Sequence, residues 1–117
     1  MQNNRPFRVL PSDETGDGIM YVNHQKNHRS GHLGHALAEY APGKIISYYS
    51  NNSPYRTFGH NGFGWVEYRR SQDGGQTWSD PKILEYSWET FIDGVYTISC
   101  EKAVVTSNNN LVLFCLR

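Results

Sequence analysis

Four histidines crowd one stretch, His24, His28, His32 and His35. Their spacing suits metal ligands on one side of a helix. Asn27, Ser30 and Gly31 oppose a helix there, and no Cys or carboxylate joins the group. No metal site is therefore expected. Gly59-His60-Asn61-Gly62-Phe63-Gly64 has the glycines of a phosphate loop. Their order is wrong and no helix follows, so the segment reads as a rim loop that can touch a ligand. No G-x-S-x-G nucleophile elbow is present. Asn51-Asn52-Ser53 is a formal glycosylation acceptor, but Pro54 follows it. Cys100 and Cys115 are too few for a disulfide scaffold. They read as buried reduced thiols, with a bridge across a hairpin left open.

The most specific local pattern is Ser71-Gln72-Asp73-Gly74-Gly75-Gln76-Thr77-Trp78, which fits S-x-D-x-G-x-T-W at every position. Asp73 can accept backbone N–H bonds from the turn it opens. Gly75 supplies a backbone conformation that residues with a Cβ avoid. Thr77 can return a hydroxyl bond to the loop while keeping strand propensity. Trp78 can lay its ring against the turn and pin it. A calcium loop does not fit, because the acidic residue that closes an EF-hand is missing and the flanks read as strands.

The elements that position this turn are short strands. The stretch 33–40 reads as a strand, 41–44 as a tight turn and 45–50 as the returning strand. After a polar loop at 51–64, Trp65 to Arg70 alternates, with Val66 and Tyr68 on one face and Trp65 and Glu67 on the other. A weaker edge strand is expected at 81–86, led by Pro81. Together they make a four-stranded antiparallel meander of the size of a propeller blade. The stretch 95–106 reads as a strand with room for a bulge, and 107–110 as a turn. The stretch 111–116 is apolar on both faces, so burial on both sides is expected. Phe7 to Leu10 and Ile19 to Val22 read as short N-terminal strands, and no amphipathic helix is found. The chain divides into N-terminal strands and loop at 1–32, a complete blade at 33–87 and the start of a second blade at 88–117.

Composition narrows the classes of function. Aromatics make up 14% of 117 residues, which argues against disorder. Eleven basic side chains balance eleven acidic ones. That neutrality leaves no electrostatic footprint for nucleic acid or an anionic membrane surface. No apolar run approaches the ~20 residues of a membrane span. No signal peptide is visible, so the expected location is cytoplasmic by default, or secreted if a leader has been removed.

The octapeptide is an Asp-box, and the chain resembles the sialidase (neuraminidase) superfamily, the BNR-repeat proteins. Residues 34–49 look like the inner hairpin that precedes the box in such blades. Cys100 to Val105 followed by Leu111 to Phe114 look like the same hairpin in the next blade. The resemblance covers about residues 33–117 and implies an all-β fold. Specifically, it implies a partial β-propeller of sialidase type, with about two four-stranded antiparallel blades and a ring that does not close. It further implies that the box lies on the turn between the third and fourth strands of a blade. Ser71, Asp73, Gly75, Thr77 and Trp78 are then structural.

Family enzymes hold a sugar carboxylate with three arginines, use an Asp as acid/base, and use a Tyr paired with a Glu as nucleophile. Such a Tyr departs from the usual two-carboxylate scheme. Phe7-Arg8-Val9-Leu10-Pro11 is similar to the motif of the first arginine, with one extra residue before the proline. The resemblance implies that Arg8 is the corresponding carboxylate ligand, and its planar fork suits that partner. His35 and Glu101 occupy inner-strand positions, which line the channel of a propeller and face substrate. The remaining machinery belongs to later blades, so the catalytic residues are not identifiable in this chain. The resemblance implies a fragment of an exo-α-sialidase-type glycoside hydrolase, acting on terminal sialic acid or a related sugar and inactive alone. A non-catalytic Asp-box propeller that binds glycan or protein is the alternative. The expected partner is a carbohydrate or glycoconjugate, with no cofactor, and with self-association through open blade edges.

Overall fold

The computed structural model describes residues 19–24, 34–52, 64–92 and 98–116. Six strands and one helix follow in order: β1 (His35–Ala41), β2 (Lys44–Asn52), β3 (Gly64–Ser71), β4 (Lys82–Ile83), α1 (Glu85–Ile92), β5 (Ser99–Val105) and β6 (Leu111–Leu116). β1 to β4 form one antiparallel sheet in the order β1-β2-β3-β4, and β5 and β6 form a second. The chain is therefore mostly β, with a four-stranded meander where the alternation pattern places it. Among the described residues, no helix is long and apolar enough to cross a membrane.

Side-chain alternation gives the first sheet two different faces. Ala36, Ala38, Ile46, Tyr48 and Val66 point to one side and are buried. They form the core with Ile98, Cys100 and Ala103, and Leu111 and Leu113 pack at its margin. This face is covered by the second sheet. Residue 34 marks how close the cover comes. Gly34 has φ +56°, and a Cβ there would sit 1.6 Å from the Cys100 carbonyl oxygen. Only glycine allows the two strands to meet there.

Three of the expected strands differ in the structure. The strand expected at 81–86 is reduced to Lys82–Ile83, and a helix follows at once. The change has a hydrogen-bonding cause. The Leu84 N–H still donates to the Val66 carbonyl at 2.8 Å. The fully buried Ser87 hydroxyl then accepts from the Val66 N–H at 2.9 Å. A side chain on the helix thus replaces the next rung of the ladder. Glu85 in the first helical turn complements the helix dipole.

Second, β6 is not buried on both sides, because Val112, Phe114 and Leu116 are exposed. No described strand or helix lies over them, so an apolar pattern alone did not ensure cover. Third, residues 19–22 form no strand. The expected strand at 7–10 lies outside the described residues. Of the two thiols expected to be buried, Cys100 is and Cys115 is exposed, and both are free.

Candidate functional site

The octapeptide links β3 to β4, and each of its expected bonds has a partner. Asp73 is the hub. Its Oδ1 accepts from the Thr77 N–H at 2.9 Å and from the Ser71 hydroxyl at 2.8 Å. Its Oδ2 accepts from the Thr77 hydroxyl at 2.6 Å. Ser71 Oγ also accepts the Gly75 N–H at 2.8 Å. Gly75 sits at φ +90°, and the Trp78 indole N–H donates to its carbonyl at 2.9 Å. The Gly74 N–H reaches across to the Gly43 carbonyl at 2.8 Å, which ties this turn to the one between β1 and β2. Donors from Thr77 and Ser71 hold the Asp73 carboxyl down at about 2. All of the side-chain bonds among these are internal, so the turn holds itself and presents no reacting group.

The polar chemistry lies on the sheet face turned away from the core. Antiparallel register lines up His35, Tyr49 and Glu67 across β1, β2 and β3. Asn51, Trp65 and Arg69 share the same side by alternation. Glu67 is the acceptor at the centre. It takes the Tyr49 hydroxyl at 3.0 Å, the Trp65 indole N–H at 3.0 Å and the Asn51 side-chain amide. Arg69 Nε donates to the Tyr49 oxygen at 3.1 Å. Tyr49 is fully buried. Burial pushes its hydroxyl up to about 12, helped by the Glu67 charge and opposed by Arg69. At neutral pH the group is a neutral phenol that donates to Glu67.

The segment 19–24 lies over this cluster. His35 stacks on Tyr49 with ring centroids 6.1 Å apart, and His24 meets Tyr49 edge-on at 5.5 Å. Tyr21 reaches His35 Nδ1 with its hydroxyl and Trp78 with its ring, at 5.2 Å. Burial, reinforced by neighbouring His35, lowers the His24 imidazole. An aromatic strap of two residues therefore joins the polar cluster to Trp78 of the 71–78 turn.

Of the residues singled out in sequence, His35 lies exposed at the start of β1 and belongs to this cluster. Glu101 is exposed on β5, where its Oε1 accepts from Ser99 Oγ at 3.3 Å. The Gly34 approach brings the starts of β1 and β5 together, so His35 and Glu101 flank one backbone contact. Arg8, His28 and His32 lie outside the described residues, as does the glycine-rich loop before Gly64. Among the described residues, no group of three or more His, Cys, Asp and Glu could hold a metal ion.

The bonded set of buried Tyr49 with the half-buried Glu67 and Arg69 is absent from the sequence expectation. Its signal was present in the alternation of β3, which places Glu67 and Arg69 together opposite Val66 and Tyr68. What the sequence lacked was the register that sets Tyr49 beside them. Comparison with protein-family models, with curated proteins and with solved structures finds no match to this chain.

Proposed function

We propose that the chain is one blade and an adjoining hairpin of a sialidase-type β-propeller, a piece of a glycoside hydrolase that removes terminal sialic acid or a related acidic sugar. The observation that carries this reading is the position of the Asp-box. An S-x-D-x-G-x-T-W turn joins the third and fourth strands of an antiparallel meander, closed by its own aspartate and tryptophan. The hairpin β5–β6 lying against one face of that meander is the packing expected of a neighbouring blade.

A propeller closes with about four to eight blades. One blade and a hairpin do not assemble a complete site, so this chain alone is inactive. Arg8 and the exposed His35 and Glu101 are the residues of this piece that face the sugar. Purified chain is expected to release no fluorophore from a fluorogenic sialoside. Turnover at enzymatic rates overturns the inactivity. The coding frame past Arg117 tests the parent: two further arginines and a Tyr–Glu pair support the hydrolase.

A second reading dispenses with the catalytic machinery of later blades. The Tyr49 phenol, paired with Glu67, is buried and held neutral, so this pair supports the sheet rather than attacking a sugar. A non-catalytic propeller that binds glycan or protein needs only the exposed groups at the rim. Retention of sialylated glycans by the longer protein, without cleavage, selects this reading over the hydrolase.

A further inference from the structure

The second sheet pairs Cys100 of β5 directly with Cys115 of β6. A one-residue bulge between Cys100 and Lys102 makes the pairing useful. Leu111, Leu113 and Cys115 alternate onto the core side of β6. On β5, Ala103 and Val105 take that side, and unbroken alternation would add Glu101. The bulge leaves Glu101 outside and turns Cys100 inward, where it is fully buried against the core. Both thiols therefore lie on one face, directly opposite. Opposed residues of an antiparallel pair place their Cβ atoms about 4.5–5.5 Å apart. A disulfide spans about 3.5–4.5 Å, so a small inward shift of the strand ends closes the gap.

We propose that Cys100 and Cys115 are a reversible thiol–disulfide pair that exchanges with a small disulfide of the oxidised-glutathione class. Cys115 is exposed and opens the exchange. Its thiolate attacks one sulfur of the small disulfide, breaks that S–S bond and releases the first small thiol. The Cys100 thiolate then attacks the Cys115 sulfur, breaks the mixed disulfide and releases the second small thiol. The two protons lost by the cysteines end on the two released thiols. The chain is oxidised by two electrons and the small disulfide is reduced by two. Burial pushes the Cys100 thiol up to about 11, which makes it the resolving partner rather than the first to react.

Oxidation has a structural consequence beyond the hairpin. In the reduced chain the Cys100 thiol donates to the Gly34 carbonyl at 3.4 Å. Bridging to Cys115 removes that donor at the point where β1 meets β5. The bond thus reports the redox state of the hairpin to the residue next to His35. None of this depends on the propeller reading.

Native full chain equilibrated with oxidised and reduced glutathione, acid-quenched and digested with trypsin tests the inference. Cleavage after Lys82 and Lys102 places Cys100 in peptide 83–102 and Cys115 in peptide 103–117. In oxidising buffer the two free-thiol peptides are expected to be lost in favour of one disulfide-linked pair within a monomer. Excess reduced glutathione is expected to restore them. In Cys100→Ser the resolving thiol is gone, and Cys115 is expected to carry glutathione stably. A wild-type chain that holds glutathione on Cys115 as Cys100→Ser does, that links chain to chain, or that keeps both thiols free in oxidising buffer overturns the proposal.

Discussion

β2 and β6 are both the returning strands of two-stranded hairpins, and they end in different surroundings, although β6 is wholly apolar and β2 carries Lys, Ser and Asn at five of its nine positions. From Ile46 to Asn52, β2 is buried at every position. It has β1 on one side, β3 on the other, the second sheet over one face and the Tyr21–His24 strap over the other. β6 has β5 alone among described strands, and only Leu111 and Leu113 on its inward side are partly covered. Position in the sheet, more than hydrophobicity, separates them. A strand between two partners buries its polar residues as well as its apolar ones, and those polar residues then need bonds. Glu67 answers that need for Tyr49 and Asn51 on the outer face of β2, while the buried Ser47 hydroxyl on that face has no hydrogen-bond partner among the described residues.

The difference is broken most severely at the centre of β2. Ile46 is 2% exposed, so Ile46→Ala is expected to cost about 2–5 kcal/mol in denaturant unfolding. Phe114 is 54% exposed on β6, and Phe114→Ala is expected to cost about 1 kcal/mol or less. Equal losses would mean that β6 is covered as β2 is. Next in size is Glu67→Ala, which strips the acceptor from Tyr49, Asn51 and Trp65 together. A loss of about 2–3 kcal/mol is expected by the same unfolding measurement. The double variant with Tyr49→Phe is expected to lose less than the sum of the singles, because the two share a bond.

The two turns sharpen the contrast further. The Asp73 carboxyl sits at about 2, below its ordinary value near 3.8. Its contribution is whole above the ordinary value and is lost as pH falls from there through about 2. The thermal midpoint is expected to fall over that window, and in Asp73→Asn the part of the fall that this carboxyl supplies disappears. An unchanged profile in Asp73→Asn would show that the carboxylate bonds do not stabilise the turn. The β5–β6 turn is gathered on Thr106 instead, with no carboxylate at its centre. Asn109 holds φ 59°, and its N–H donates to the Thr106 carbonyl at 2.9 Å. Asn109→Ala is expected to cost about 1 kcal/mol, and Asn109→Gly a few tenths at most, since glycine accepts that conformation.

The candidate site was only half legible in the sequence. His35 was legible at the head of a strand, and Glu67 as a member of an alternating face. Tyr49 was not, because the sequence between β2 and β3 does not state which residue opposes which. A slip of one position would have turned Tyr49 into the core and Tyr48 onto the polar face. The helix was equally hidden. Eight residues, Glu85–Ile92, are too few for an apolar stripe to declare itself, and Ser87 shows its value only beside Val66.

What the chain settled by local chemistry was its alternation and its turns, the closed turn at 71–78 included, because those depend on residues a few positions apart. Strand existence followed from period-two patterning, and the 71–78 turn from side chains that bond within it. What tertiary structure alone decided was partnership: Tyr49 with Glu67 and Arg69, Cys100 with Cys115, Ser87 in place of a strand, and an uncovered β6. Those contacts join residues 15 to 21 positions apart. Their geometry is set by register, by one bulge and by the close approach at Gly34, none of which a linear pattern encodes.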